Sequence, residues 1–224
     1  PKAVIAPHAG YPYSGPIAAK AFATLIPAAG RIERVVLIGP SHRMWFDGIA
    51  SADADRFDTP LGPVRVSAPL DPGVFPSTGA HAEEHALEVE LPFIQRVLGD
   101  VEVVPLLASE APPDAVASVL DHLWGNAGTV FVVSSDLSHY HAWDEANRLD
   151  ARTAKQILGG GPDLTPDQAC GATPINGLLA LARARGLRAD CLDLRNSGDT
   201  AGPRDRVVGY GADRKSTRLN SSHT

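Results

Sequence analysis

Histidine, cysteine and aspartate recur in this chain just beyond its apolar runs. His8 follows in AVIAPHAG, His42 in VVLIGPSH, Asp136 and His139 in VFVVSSDLSHY, and Cys170 opens the CGATPI turn. These residue types bind metal ions and move protons. Strand ends are where an α/β sheet presents its chemistry. Two adjacent parallel strands ending in His8 and His42 would bring two imidazoles within range of one ion, with a third ligand still to be found. The expectation is one metal-type pocket at the carboxyl edge of one sheet.

Each candidate also has a plainer reading. In PHAGYPYSG a proline and glycines fix the backbone, so His8 is either a held ligand or a ring that caps its own turn. Asp136 and His139 lie three residues apart, a spacing that puts both on one side of a helical turn. Asp136 equally suits a helix N-cap. His139 has an ordinary pKa near neutrality, which suits a general acid or base. Cys170 stands ahead of a helix expected to start at Pro174 after a Thr173 cap. A helix N-terminus favours the thiolate, the form that binds metal. The alternative is a small buried apolar residue, and that is the reading for Cys191 in RADCLDL.

The segment EEHALEVELPF places Glu84 and His85 at a helix start, in a supporting role around the ligands. His81 carries less weight, and His122 and His141 read as surface residues. Neither GxGxxG nor a glycine run ending in GK[ST] occurs, so a Gly-rich phosphate loop fails as a competing idea. HExxH is absent too, which removes zincin-type proteolysis.

The elements that must carry these residues follow from apolar spacing. Strands are expected at residues 3–5, 34–38, 101–107, 129–133, 189–196 and 207–212, with a TPLG hairpin within 54–66. Helices are expected at 17–25, 83–98 with a bend at Pro92, 114–123, 143–158 and 174–185, and one helical turn at 166–169. Leu87, Leu91, Ile94 and Leu98 define one apolar face of the second of these helices. Strand and helix alternate through most of the chain, the pattern of an α/β fold with a mostly parallel sheet and helices on both faces.

The chain has 224 residues and is 44% hydrophobic, enough for one sizeable core and one domain. Its formal charge of -6 and the lack of a basic run in the body argue against a nucleic-acid surface. No apolar stretch approaches the roughly 20 residues of a membrane span. Two cysteines do not make a disulfide framework, and a cytoplasmic location is the default expectation. The polar, basic stretch 214–224 (RKSTRLNSSHT), with His223, breaks the pattern and is expected to lie outside the domain as a disordered or non-native tail.

In this order, the strings IAPHAGYPYSG, LIGPSHR, TPLG, EEHALEVELPF, VVSSDLSHY, CGATPI and VVGYGA resemble the Memo family, whose prokaryotic members are called AmmeMemoRadiSam system protein B. The resemblance runs from Pro1 to about Asp213. Family members usually carry a segment ahead of the APHAG strand, which this chain is expected to lack.

The resemblance implies a fold like that of class III extradiol dioxygenases, non-haem iron enzymes that open catechol rings. Those enzymes hold Fe(II) by two histidines and a glutamate. By resemblance His8 and His42 match the histidine pair and Cys170 replaces the carboxylate. His139 matches the acid/base histidine, with Asp136 beside it. A thiolate in place of a hard oxygen ligand shifts preference towards copper, with iron or zinc as alternatives.

Three functions follow. The first is metal-dependent redox chemistry on an unknown small molecule or peptide. The second is extradiol cleavage of a small aromatic. The third, implied by eukaryotic relatives described as signalling adaptors, is non-catalytic binding of a peptide or partner. The gene-set name implies a link to a radical-SAM protein and an AMMECR1-like protein.

Overall fold

Runs of Val, Ile and Leu long enough to be buried on both faces build the centre of one sheet. The computed structural model describes residues 1–159, 161 and 163–216. In chain order come β1 (Ala3–Ala6), α1 (Tyr11–Ala23), β2 (Arg34–Pro40), β3 (Ile49–Ser51), β4 (Arg56–Thr59), β5 (Gly62–Val66) and β6 (Val74–Pro76). Helices α2 (Thr78–Ala82), α3 (His85–Glu88) and α4 (Leu91–Leu98) lead into β7 (Glu102–Ala108), α5 (Pro113–His122) and β8 (Thr129–Ser134). The chain continues with β9 (His139–His141), α6 (Trp143–Gly159), α7 (Ala172–Ala184), β10 (Arg188–Asn196) and β11 (Val207–Ser216).

The main ladder runs β10-β11-β1-β8-β2-β7-β3-β6. Its centre, β1-β8-β2-β7, is parallel throughout, while β11 and β3 join it antiparallel on either side. Parallel pairing sends the carboxyl ends of all four central strands to one edge. Alternate residues of these strands enter opposite cores, as the two-residue period of a strand requires. Val35 and Leu37 pack with Ile17 and Phe22 of α1 and Ile94 of α4. Val36 and Ile38 pack with Val116 and Leu120 of α5 and Leu178 of α7. Helices therefore cover both faces, as the alternation of elements implied.

Four boundaries depart from expectation for identifiable reasons. The helix expected at 83–98 is two helices, broken at Val89 and Glu90. A proline ring clashes with the carbonyl four residues earlier, so Pro92 stops α3 at Glu88 and takes an opening position of α4 instead of bending one helix. Helix α1 starts at Tyr11 rather than Ile17 because Pro12 sits in its first turn, where the missing N–H costs nothing. Helix α7 starts at Ala172, with Gly171 rather than Thr173 as its cap.

The fourth departure is at the end of the domain, which was expected at Asp213. Strand β11 runs on to Ser216, pairing Lys215 with Ala3 of β1 and with Ala189 of β10. The buried Lys215 ammonium donates to the Ile157 carbonyl at 2.6 Å, which ties this basic residue into the core. The rest of the expected tail, 217–224 with His223, lies outside the described residues. Among the described residues no helix is long and apolar enough to cross a membrane.

Candidate metal centre

Three adjacent parallel strands deliver chemistry at the same spacing. His8 follows the end of β1 by two residues, His42 the end of β2, and Asp136 the end of β8. Asp136 ties the first and third of these loops together: Oδ1 accepts the backbone N–H of His8 at 2.9 Å and of Ala9 at 3.3 Å. It is therefore a loop clamp rather than a helix cap. Burial pushes its carboxyl up to about 7, against the pull of those two N–H groups.

Glu84 performs the matching task for β2. Its carboxylate accepts the His42 backbone N–H and lies 2.9 Å from His42 Nδ1, and it also caps α3 by accepting from Ala86 N. Burial alone would raise this carboxyl. The hydrogen bonds from the His42 ring, Ala86 and the His42 backbone outweigh it and hold Glu84 at about 2. Because α3 begins at His85, the same side chain that orients His42 also aims His85.

One ring nitrogen each from His8, His42 and His85 lies within 4.8 Å of the other two. The ring centroids stand 5.0 to 5.5 Å apart, with His42 and His85 stacked and His8 edge-on to both. Burial, then the neighbouring histidines, lowers His8 to about 3 and also lowers His85. Neutral imidazole is the form that ligates metals.

Cys170 Sγ lies 3.4 Å from His8 Nε2, close to the roughly 3.6 Å between sulfur and nitrogen on one tetrahedral ion. Gly171 makes this approach possible, because a Cβ there would meet the Ser134 carbonyl oxygen at 2.8 Å. The strand-end pattern pointed to His8 and His42, the family resemblance added Cys170 as the third ligand, and His85 had a supporting place. The structure brings all four to one spot, with His85 as the third converging nitrogen and Cys170 flanking His8.

The family described as Memo-like protein matches residues 1–214. The chain belongs to this family. Its relatives include a MEMO1 family protein of Methanopyrus kandleri, 32% identical over 93% of this chain and 81% of the relative. One from Aeropyrum pernix is 35% identical over 94% of this chain and 82% of the relative. A third, from Sulfolobus acidocaldarius, is 32% identical over 92% and 79%.

In this Memo-like chain the imidazoles open into a cleft of about 810 Å³, also lined by Arg43, His139, Tyr140 and His141. His139 therefore shares the space with the three converging histidines, and burial lowers its pKa. A cleft of about 990 Å³ lies at the opposite edge of the sheet, near Lys2, Arg31 and Trp124, and takes in none of the residues singled out from the sequence.

Two cysteine expectations change. Burial, then the Asp136 charge, pushes the Cys170 thiol up to about 12, so desolvation overrides the helix N-terminus. Cys191 is exposed rather than buried, because β10 is an edge strand. Both cysteines are free.

Other residues stand differently from their reading in the sequence. His141 lines the cleft and pairs with Glu145 at 3.3 Å, so it is not a bystander. His122 pairs at the surface with Asp71, and the His81 ring hydrogen-bonds the Ala50 carbonyl oxygen. Tyr140 has φ 65°, the one positive value at a non-glycine among the described residues. Sequence reasoning also passed over Ser134 and Glu90, which stand directly behind His8. Glu90 had a visible signal: it falls three residues after Leu87 and four before Ile94, a charge on an apolar face.

Proposed function

We propose that the cleft is a metal centre in which His8, His42 and His85 hold one transition-metal ion, with Cys170 a further donor beside His8, and that it performs oxidative chemistry on a small molecule. The observation that carries this reading is the convergence of three imidazole nitrogens within 4.8 Å at the carboxyl edge of a parallel sheet. The donor set fits such an ion. Imidazoles suit copper, iron and zinc alike, and an adjoining sulfur tilts the preference to copper. When bound, the ion would supply Lewis-acid polarisation or one-electron chemistry.

The chain's own residues supply the remaining parts. His139, neutral and facing the cleft, can take a proton from a bound molecule and return it. Arg43 on the same wall offers charge-assisted donors to an anionic group. Glu84 and Asp136 hold two of the loops in register, so the imidazoles are oriented before anything binds.

The test is metal analysis of untagged protein beside His8→Ala, His42→Ala and His85→Ala. The expected result is one bound ion in the parent and loss in each variant. Retention of the full complement by all three variants would remove the reading.

The presence of His139 in the cleft favours one second reading, ring opening of a small aromatic. Fe(II)-loaded protein mixed with catechol under oxygen decides it, and the absence of oxygen uptake ends it.

A further inference from the structure

Behind His8 a single hydroxyl makes three polar contacts, and their arithmetic fixes where the protons sit. Ser134 Oγ lies 2.6 Å from the Ala86 carbonyl oxygen, 2.8 Å from His8 Nδ1 and 3.0 Å from Glu90 Oε1. A hydroxyl has one proton to give and two lone pairs to receive with. A carbonyl oxygen only accepts, so the Ser134 proton points at Ala86. The other two contacts must then be donations into Oγ. His8 consequently carries its proton on Nδ1, and Glu90 carries one on Oε1.

We propose that Ser134 is a positioning residue: with its proton turned to the Ala86 carbonyl and Glu90 beside it as a neutral carboxylic acid, it fixes the His8 tautomer and leaves Nε2 as the atom facing the metal centre. Three observations agree with that proton count. Glu90 is wholly buried, and its second oxygen, Oε2, has no partner among the described residues, which an ionised carboxylate would not tolerate. Burial pushes its carboxyl well above the ordinary range. On the other side of the ring, Nε2 is left as an acceptor and faces Cys170 Sγ at 3.4 Å.

The device depends on the broken helix. Glu90 sits between α3 and α4, where Pro92 prevents one continuous helix, and from there its side chain reaches the last residue of β8. The choice of tautomer is not the one a free histidine side chain favours, so it has to be imposed. The consequence for affinity rests on the metal-centre reading, whereas the tautomer itself does not.

The test is nitrogen-15 NMR of His8 in metal-free protein at neutral pH, with infrared spectra of its carboxyl groups. The parent is expected in the Nδ1–H form, with a protonated-carboxyl band that disappears in Glu90→Gln. Glu90→Gln keeps a donor towards Ser134 and should keep the tautomer. Glu90→Leu leaves the Ser134 proton on the Ala86 carbonyl and should keep it too, whereas Ser134→Ala should release it towards Nε2–H and weaken metal binding about 10- to 100-fold. An Nε2–H parent, or an unchanged tautomer in Ser134→Ala, overturns the proposal. If Ser134→Ala does not fold, the His8 spectrum of the parent and the infrared band decide alone. A parent that takes up no metal but shows the Nδ1–H form refutes the metal centre and leaves the tautomer assignment standing.

Discussion

Glu84 grips His42 at two points, accepting its backbone N–H on Oε2 while Oε1 stands 2.9 Å from Nδ1, and the same carboxylate starts the helix that carries His85. Two histidines from distant elements are thus oriented by one buried acid.

Glu84→Ala therefore removes a helix cap and leaves the His42 N–H without its partner. The two losses together should lower stability by about 2–4 kcal/mol, read from urea unfolding. Metal affinity should fall further than in a variant of equal stability elsewhere. A Glu84→Ala protein that unfolds at the parent midpoint would show that the carboxylate holds nothing in place.

Gly177 of α7 presses directly on α5: a Cβ there would stand 2.2 Å from Val116 Cγ1. Gly177→Ala should destabilise by about 1–3 kcal/mol through overpacking. Val116→Ala should also cost stability when made alone, by opening a cavity. The double variant should be more stable than the sum of the two predicts, because each change relieves the other. Strict additivity would mean that the helices do not meet at this pair.

The sheet and the strand-end positions of the site were legible because each central strand is a short apolar run, closed by Pro7 after β1, by Gly39 and Pro40 in β2, and by the polar Ser134, Ser135 and Asp136 at the end of β8. His8, His42 and Asp136 each follow closely on such a run, two residues past the strand end in the structure, so the pattern is local and readable. What was not legible is tertiary. That His85 rather than Cys170 completes the set of converging nitrogens follows from the Glu84 clamp, which links residues 42 positions apart. The thiol state of Cys170 follows from burial beside Asp136, which overrode a sound argument from the helix N-terminus. The reach of β11 to Ser216 was hidden because Lys215 is a charged residue held in the core by the Ile157 carbonyl.

Cys170 and Cys191 offer an internal comparison. Cys170 stands 3.4 Å from His8 Nε2, and Cys191 is exposed on the edge strand, where its thiol donates to the Asp193 carbonyl at 3.6 Å. Cys170→Ser should weaken binding of a soft ion such as Cu(I) by tenfold or more, on the order of the effect expected for a group beside the ligands. Cys191→Ser should leave the titration unchanged. Equal effects in a competition titration would place the sulfur outside the centre.

Asp213 gives the fold a pH dependence separate from the metal centre. It lies fully buried on β11, and burial pushes its carboxyl up to about 7 although Lys215 two residues on pulls it down. Between about pH 4 and 7 the native protein therefore holds a proton that the unfolded chain has released. The native state binds more protons, so stability falls as pH rises through that window. Burial lowers Lys215 to about 8, so above that value the unfolded chain binds more protons and the slope from this group reverses. Asp213→Asn removes the first of these slopes. Its stability relative to the parent should improve by about 1–3 kcal/mol between pH 4 and pH 7, measured by urea unfolding at both. A difference that stays constant across the two pH values would show that Asp213 is ionised throughout and that Lys215 fully compensates its burial.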